Sequence, residues 1–206
     1  MPPLSSFNKE KLIDAAFKIV RGRGREKLTA RAIAAELHCS TMPVYSYLKS
    51  MTKVDADLER KAFELLLQYQ TTVRSGEPFY DMGLGYVFFA RNEKKLFAFF
   101  TAEKKSKTLQ ASVAAMRWEV ALKTLIPAMK TDPVLAGFEE RQLESILTKM
   151  WIFTHGLAVL ASRSALAGND DQYFEEMMRE VGFSVIEGER NKKSIREGGY
   201  DEGTCT

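Results

Sequence analysis

Long uncharged runs are missing from this chain. The longest stretch without Asp, Glu, Lys or Arg is the thirteen residues 150–162, whereas a membrane-spanning helix needs about 20 predominantly apolar residues. No membrane partner is expected. The opening MPPLSSFNKEK has no apolar core before charge begins, so no secretion signal is read. Cysteine is scarce: Cys39 and Cys205 stand alone, with no CxxC. That leaves no material for a disulfide framework or a zinc site, and a reducing cytoplasmic compartment is expected, with no metal and no cofactor. Histidine is limited to His38 and His155, too few to suggest a His-based triad. GxSxG, HExxH and P-loop motifs are absent. The pairs Gly22-Arg23-Gly24 and Gly83-Leu84-Gly85 lack the strand and the third glycine of a dinucleotide site. The chain is not expected to be an enzyme.

What is present is an ordinary core-forming composition, 45% hydrophobic and 28% charged over 206 residues, enough to fold without a staple. The net charge is only +3, but it is unevenly divided. Residues 1–53 carry ten basic against four acidic side chains, and the remainder twenty against twenty-three. A basic first quarter on a mildly acidic body suggests a small module that meets a polyanion.

Apolar residues recur at helical spacing nearly throughout, and no hairpin signal interrupts them. Asn8 caps a first helix, with Phe7 stapling to Leu12; Gly22 and Gly24 end it. A second helix follows Thr29 and a third follows Ser40, with Pro43 in its first turn, where a missing N–H costs nothing. Further helices are expected over 54–75, 79–91, 94–102, 108–129, 138–164 and 171–187, with a turn at Asp132-Pro133. The expected architecture is all-α: a three-helix domain over 1–53, a larger helical domain over 54–187, and a polar, mobile tail over 188–206.

Residues 28–48, LTARAIAAELHCSTMPVYSYL, read as two short helices around a tight turn at His38–Ser40. This is helix-turn-helix spacing, in which the second helix enters the DNA major groove. Here the sequence resembles the TetR (tetracycline-repressor-like) regulators. The resemblance runs without a gap from Leu12 to Val54: Leu12-Ile13-Asp14-Ala15-Ala16, Gly24 four residues before Leu28-Thr29, Arg31, Ile33-Ala34, Leu37, Ser40 and Val44-Tyr45-Ser46-Tyr47-Leu48. Farther on, Gly85–Ala90 with Leu96-Phe97, and Trp151 with His155-Gly156-Leu157, are similar to later stretches of that family. The chain departs from the family at His38, where a turn glycine is usual, at Cys39 in place of Val, and at Met51 in place of a phosphate-binding Lys.

The resemblance implies a ligand-responsive regulator, a repressor that binds a pseudo-palindromic double-stranded operator as a homodimer. It implies DNA contacts by Thr29, Arg31, Thr41, Met42, Pro43, Tyr45, Ser46, Tyr47, Lys49 and Lys53. Of these, Arg31 would read a guanine, Tyr45 and Tyr47 would meet phosphates, and Thr29 and Lys53 would hold phosphates. It also implies an apolar or aromatic small-molecule effector in the body, for which Phe63, Leu67, Phe89, Phe100, Met116, Trp118, Trp151 and His155 are the candidate lining. Two apolar stripes near the end are expected to form a dimer bundle: Leu143, Leu147, Met150, Thr154, Leu157 and Ala161 on one helix, Phe174, Met177, Met178 and Val181 on the next, with Gly156 allowing close approach. A helical interaction protein that never meets DNA is the alternative.

Overall fold

The structure is a computed structural model that describes residues 8–47, 51–102, 107–163 and 171–197; the side chains of 46–47, 51–53, 107–116 and 193–197 lie outside the described set. Phe7, Leu48 and the GND sequence at 168–170 are therefore outside it. Among the described residues the secondary structure is helical, with no strand. The helices are α1 (Lys9–Arg23), α2 (Ala30–Glu36), α3 (Thr41–Tyr47), α4 (Met51–Thr71), α5 (Pro78–Asn92), α6 (Lys94–Thr101), α7 (Lys107–Met129), α8 (Glu140–Ser162) and α9 (Asp171–Glu197). Short 3₁₀ turns occupy Arg25–Lys27 and Pro133–Leu135.

Packing divides the chain into two compact units, Met1–Tyr69 with Phe88–Arg117, and Gln70–Val87 with Trp118–Thr206. In the first, the Asn8 side chain accepts the Lys11 N–H at 2.9 Å and starts α1, whose buried stripe is Leu12, Ile13, Ala16, Ile19 and Val20. Gly24, at φ 93°, ends α1 in a backbone geometry that a side chain would strain. Thr29 caps α2 by accepting the Ala32 N–H at 3.1 Å. Ile33 and Val44, both without exposed surface, lie in the packing of the α2–α3 pair. Helix α1 also packs on α6.

In the second unit α8 and α9 pack against each other, with Thr154 Oγ1 3.8 Å from Met178 Sδ. Gly83 lets α5 approach α9: a Cβ there would collide with the Met178 methyl. Gly83 thus serves helix packing.

Several helix ends differ from the expected ones, each for a reason distant in sequence. Helix α4 stops at Thr71 rather than at 75. The Asp81 carboxylate, itself 2% exposed, accepts the backbone N–H groups of Arg74 at 2.8 Å and Ser75 at 3.0 Å. It therefore holds those residues out of the helical hydrogen-bond ladder. Burial pushes this carboxyl up, and the backbone and Ser75 hydroxyl bonds outweigh it, so it lies below its ordinary value. Helix α8 begins at Glu140, after Gly137 at φ 81°, where the Gln142 side chain accepts the Glu139 N–H at 3.0 Å.

Helix α9 continues ten residues past the expected end at Glu187, so the first part of the expected tail is helical. A glycine inside a helix costs about 1 kcal/mol relative to Ala, and Gly188 is tolerated because its neighbours are anchored. Ile186 and Glu189 are each 5% exposed, and Glu189 is held by Lys149, by Lys192 at 3.0 Å and by the Ser145 hydroxyl at 2.9 Å.

Glu189 also links stability to acid. Burial raises its carboxyl, but the bonds from Lys149, Lys192 and Ser145 outweigh burial and hold it at about 2, against an ordinary value of 4.5. Because the folded value is depressed, its contribution is complete above pH 4.5 and is lost as pH falls toward 2. Glu189→Gln is expected to lower stability at neutral pH by about 1–3 kcal/mol, discounted for the part-exposed lysines. Urea midpoints taken at stepped pH should show the variant without the component that the parent loses in that window.

Candidate nucleic-acid interface

The basic first quarter is less free than its charge count suggests. Lys9 pairs with Asp57 at 2.6 Å and Lys18 with Glu36 at 2.5 Å. Arg25 grips Asp55 through two bonds of 2.5 and 3.0 Å. Arg21 grips Glu93 through a matching fork, with its Nε donating at 2.8 Å. These four cations hold helices together. Arg31 and Lys27, by contrast, are exposed and have no ion-pair partner among the described residues. Sequence reasoning missed Lys27, whose only signal there is a positive charge just ahead of the α2 cap.

On α3, Met42 is 76% exposed and Tyr45 is 64% exposed. Large apolar and aromatic side chains on a seven-residue helix face solvent there, while Val44 beside them is fully buried. Thr41 is half-buried, and Thr29 is exposed with its hydroxyl oxygen accepting the α2 cap bond. Pro43 is buried alongside Val44, which takes it off the accessible surface where a base contact was expected. Ser46, Tyr47 and Lys53 lie in helices whose side chains there are outside the described set, and Lys49 is outside it altogether. The turn between α2 and α3 is built on His38 at φ 51°. Its N–H bonds the Ala35 carbonyl at 3.2 Å, and the Cys39 N–H bonds the Ala34 carbonyl at 2.9 Å.

The residues expected to line an effector site fall into separate groups. In the first unit Phe63 stacks on Phe100 at 6.1 Å, and the Arg117 guanidinium sits 4.0 Å over the Phe100 ring while bonding Glu59 at 2.7 Å. Leu67 is half-buried. Phe89 has no exposed surface and meets Tyr69 and Phe97 edge-on, within the core of the first unit. The Met116 side chain is outside the described set. In the second unit Trp118, Trp151 and His155 form a ladder with ring centroids 5.8 and 5.7 Å apart. It ends on Tyr86, whose hydroxyl is 2.9 Å from His155 Nδ1. Burial lowers the His155 pKa, which favours the neutral ring. Trp151 remains 44% exposed.

The stripe expected to dimerise is buried within one chain. Leu143, Leu147, Met150, Thr154, Leu157 and Ala161 on α8, and Phe174 and Met178 on α9, are all at most 6% exposed. They are buried inside this one chain, where α8 packs on α9 and Gly83 of α5 lies against Thr154 and Met178. Met177 and Val181 are half-buried. Ile152 is 62% exposed on the other side of α8, and Gly156, one turn on, is open, with space for a Cβ.

No family model matches the chain, and no curated protein matches it. Among solved structures, the crystal structure of a TetR-like transcriptional regulator from Rhodococcus sp. RHA1 aligns over 87% of this chain and 96% of its own, with a TM-score of 0.54 and 16% identity. The likeness is one of fold: the chain has a TetR-like all-α fold.

The α2 start rests on one side-chain bond, so Thr29→Ala is expected to cost about 1 kcal/mol. Thermal unfolding of the two proteins side by side checks it, and an unchanged midpoint would mean that the cap contributes nothing.

Proposed function

We propose that the chain is a DNA-binding transcriptional regulator whose reading surface is α2 and α3. One observation carries this: Met42 and Tyr45 are 76% and 64% exposed on a helix packed against α2, which bears the exposed Arg31. A stable fold gains nothing from leaving those side chains in water. A major groove offers thymine methyls to Met42, phosphates to the Tyr45 hydroxyl and a guanine edge to Arg31. Thr29, Thr41, Ser46, Tyr47, Lys49 and Lys53 complete the proposed surface, and Lys27 joins it.

The regulator acts as a homodimer on a pseudo-palindrome, and its dimer face is the outer side of α8 and α9. Ile152, Gly156 and Val159 lie on one stripe of α8, while Met177, Val181 and Gly188 share one stripe of α9. Occupying a promoter makes repression the simplest output, and release follows from a planar aromatic or apolar effector. The ladder of Trp118, Trp151 and His155 supports that reading, since Trp151 remains 44% exposed and its indole can extend the ladder to a guest.

Binding to genomic fragments by mobility shift tests the proposal, and affinity must fall steeply with added salt as phosphate neutralisation releases counterions. Arg31→Ala should cost about 1–3 kcal/mol on the specific site and relax one base-pair preference, whereas Lys53→Ala should weaken all sequences alike and reduce the salt slope by about one. Absence of binding to any fragment would leave the helical interaction protein as the reading. Ile152→Asp should shift the chain toward monomer in sedimentation, and an unchanged state would move the dimer face elsewhere.

A further inference from the structure

The second unit has a cleft of about 370 Å³ between the start of α5, the 3₁₀ turn at Pro133–Leu135 and the middle of α9. This lies toward the lower end of the volumes that hold small molecules, roughly 300–1,000 Å³. None of the residues expected to line an effector site belongs to it. Met150, Met178 and Ile186, at most 5% exposed, give it an apolar lining. Phe79 and Tyr80 contribute from α5, and Phe183, 67% exposed, stands at its edge. Methionines fit differing shapes at little cost, and an exposed phenylalanine is free to close over a guest.

One atom in this wall is unaccounted for. The Tyr80 residue is 8% exposed, yet its hydroxyl is buried and has no hydrogen-bond partner among the described residues. The Arg179 guanidinium lies 4.0 Å over the ring face and acts on the hydroxyl electrostatically, while its Nη1 donates to Glu77 at 2.9 and 3.2 Å. A buried hydroxyl without a partner costs about 1–3 kcal/mol, so each such group calls for an explanation. The hydroxyl stays protonated across the physiological range, its pKa pushed up to about 12, chiefly by burial, and so it has a proton to donate to an acceptor. The cover over it is weak. The Arg179–Glu77 pair is about half exposed on both sides, and exposed pairs contribute about 0–1 kcal/mol.

Each charged side chain around the cleft is already engaged. Arg179 meets Glu77, Arg190 meets Glu187 at 2.8 Å and donates to the Val134 carbonyl at 3.0 Å, and the Asp132 carboxylate accepts the N–H groups of Phe79 and Val134, each at 3.0 Å. The lining sets three carboxylates, Glu77, Asp132 and Glu187, against two arginines, Arg179 and Arg190, so it offers no excess positive charge to recruit an anion.

We propose that this cleft is a small-molecule binding site, separate from the aromatic ladder, for a neutral apolar ligand bearing one hydrogen-bond acceptor that the Tyr80 hydroxyl engages. The site stands whether or not the chain binds DNA. The ligand lies on Met150 and Met178, under Phe183, and its carbonyl-type oxygen reaches Tyr80 as the Arg179–Glu77 pair swings out.

Two probes of matched shape isolate that hydrogen bond: benzophenone, and 1,1-diphenylethylene, in which a CH₂ replaces the carbonyl oxygen. Methyl-¹³C-methionine spectra of the full chain, assigned by Met150→Leu and Met178→Leu, report occupancy. Both probes should move the two methyl signals, with benzophenone binding about five- to tenfold tighter. In Tyr80→Phe the two should bind equally, at the affinity of the hydrocarbon, with the thermal midpoint unchanged or raised because an unsatisfied group has gone. Methyl signals that never move, equal binding of the two probes to the parent, or a difference that survives in Tyr80→Phe would each overturn the proposal. Tighter binding of benzoate than of benzophenone would also overturn it, since the ligand would then be an anion held by Arg179.

Discussion

The placement of Glu93 governs the first unit. Its carboxylate is 6% exposed and accepts the Arg21 fork from α1 together with the Tyr69 hydroxyl of α4 at 3.4 Å. Its backbone serves too: the Glu93 N–H closes α5 on the Phe89 carbonyl, and its carbonyl opens α6 by accepting the Phe97 N–H, both at 2.8 Å. One residue is thus the joint between two helices and the anchor for two more. A charge this deep is tolerated only when paired, and losing one partner of such a pair costs about 3–5 kcal/mol. The hydrogen bonds that Arg21 donates to Glu93 hold Arg21 above its ordinary pKa. The exit of α1 toward Gly24 and the α2 cap follows from that fixed point.

The same constraint separates the basic side chains by role. Cations on α1 and in the turn after it, namely Lys9, Lys18, Arg21 and Arg25, are neutralised by acids on other helices. Among the described residues the exposed cations without an ion pair include Lys27 and Arg31, around α2, and Arg23 at the end of α1. Formal charge therefore overstates how much of the first quarter is available to a polyanion and understates how local that part is.

The all-α fold was legible because amphipathic period, Asn8 and Thr29 are local signals, read within one turn of chain. The ends of α4 and α9 were not, because Asp81 and Lys149 act on them from six and forty residues away in sequence. The apolar stripe of α8 was also legible, but periodicity reports that a face is covered and not what covers it. Leu143 to Ala161 read equally well as an interface between copies or as the seat of α9, and only the three-dimensional packing separates the two. Aromatic composition was a similarly blunt guide: Phe89 is core, Phe63 and Phe100 stack together, and Trp151 stands half in water. An unpartnered hydroxyl such as that of Tyr80 has no sequence signature at all, since it is defined by what surrounds it.

His38 sits in left-handed backbone at φ 51°, between a helix that carries an exposed arginine and one that carries an exposed tyrosine. Gly, Asn and Asp enter that conformation readily, and β-branched residues do so only at high cost. Mutational drift at this position is therefore channelled by the backbone and not by any partner of the imidazole. Across descendants of this gene, position 38 should be narrow in shape and indifferent in charge, while the neighbouring surface is left free to diverge with whatever it touches.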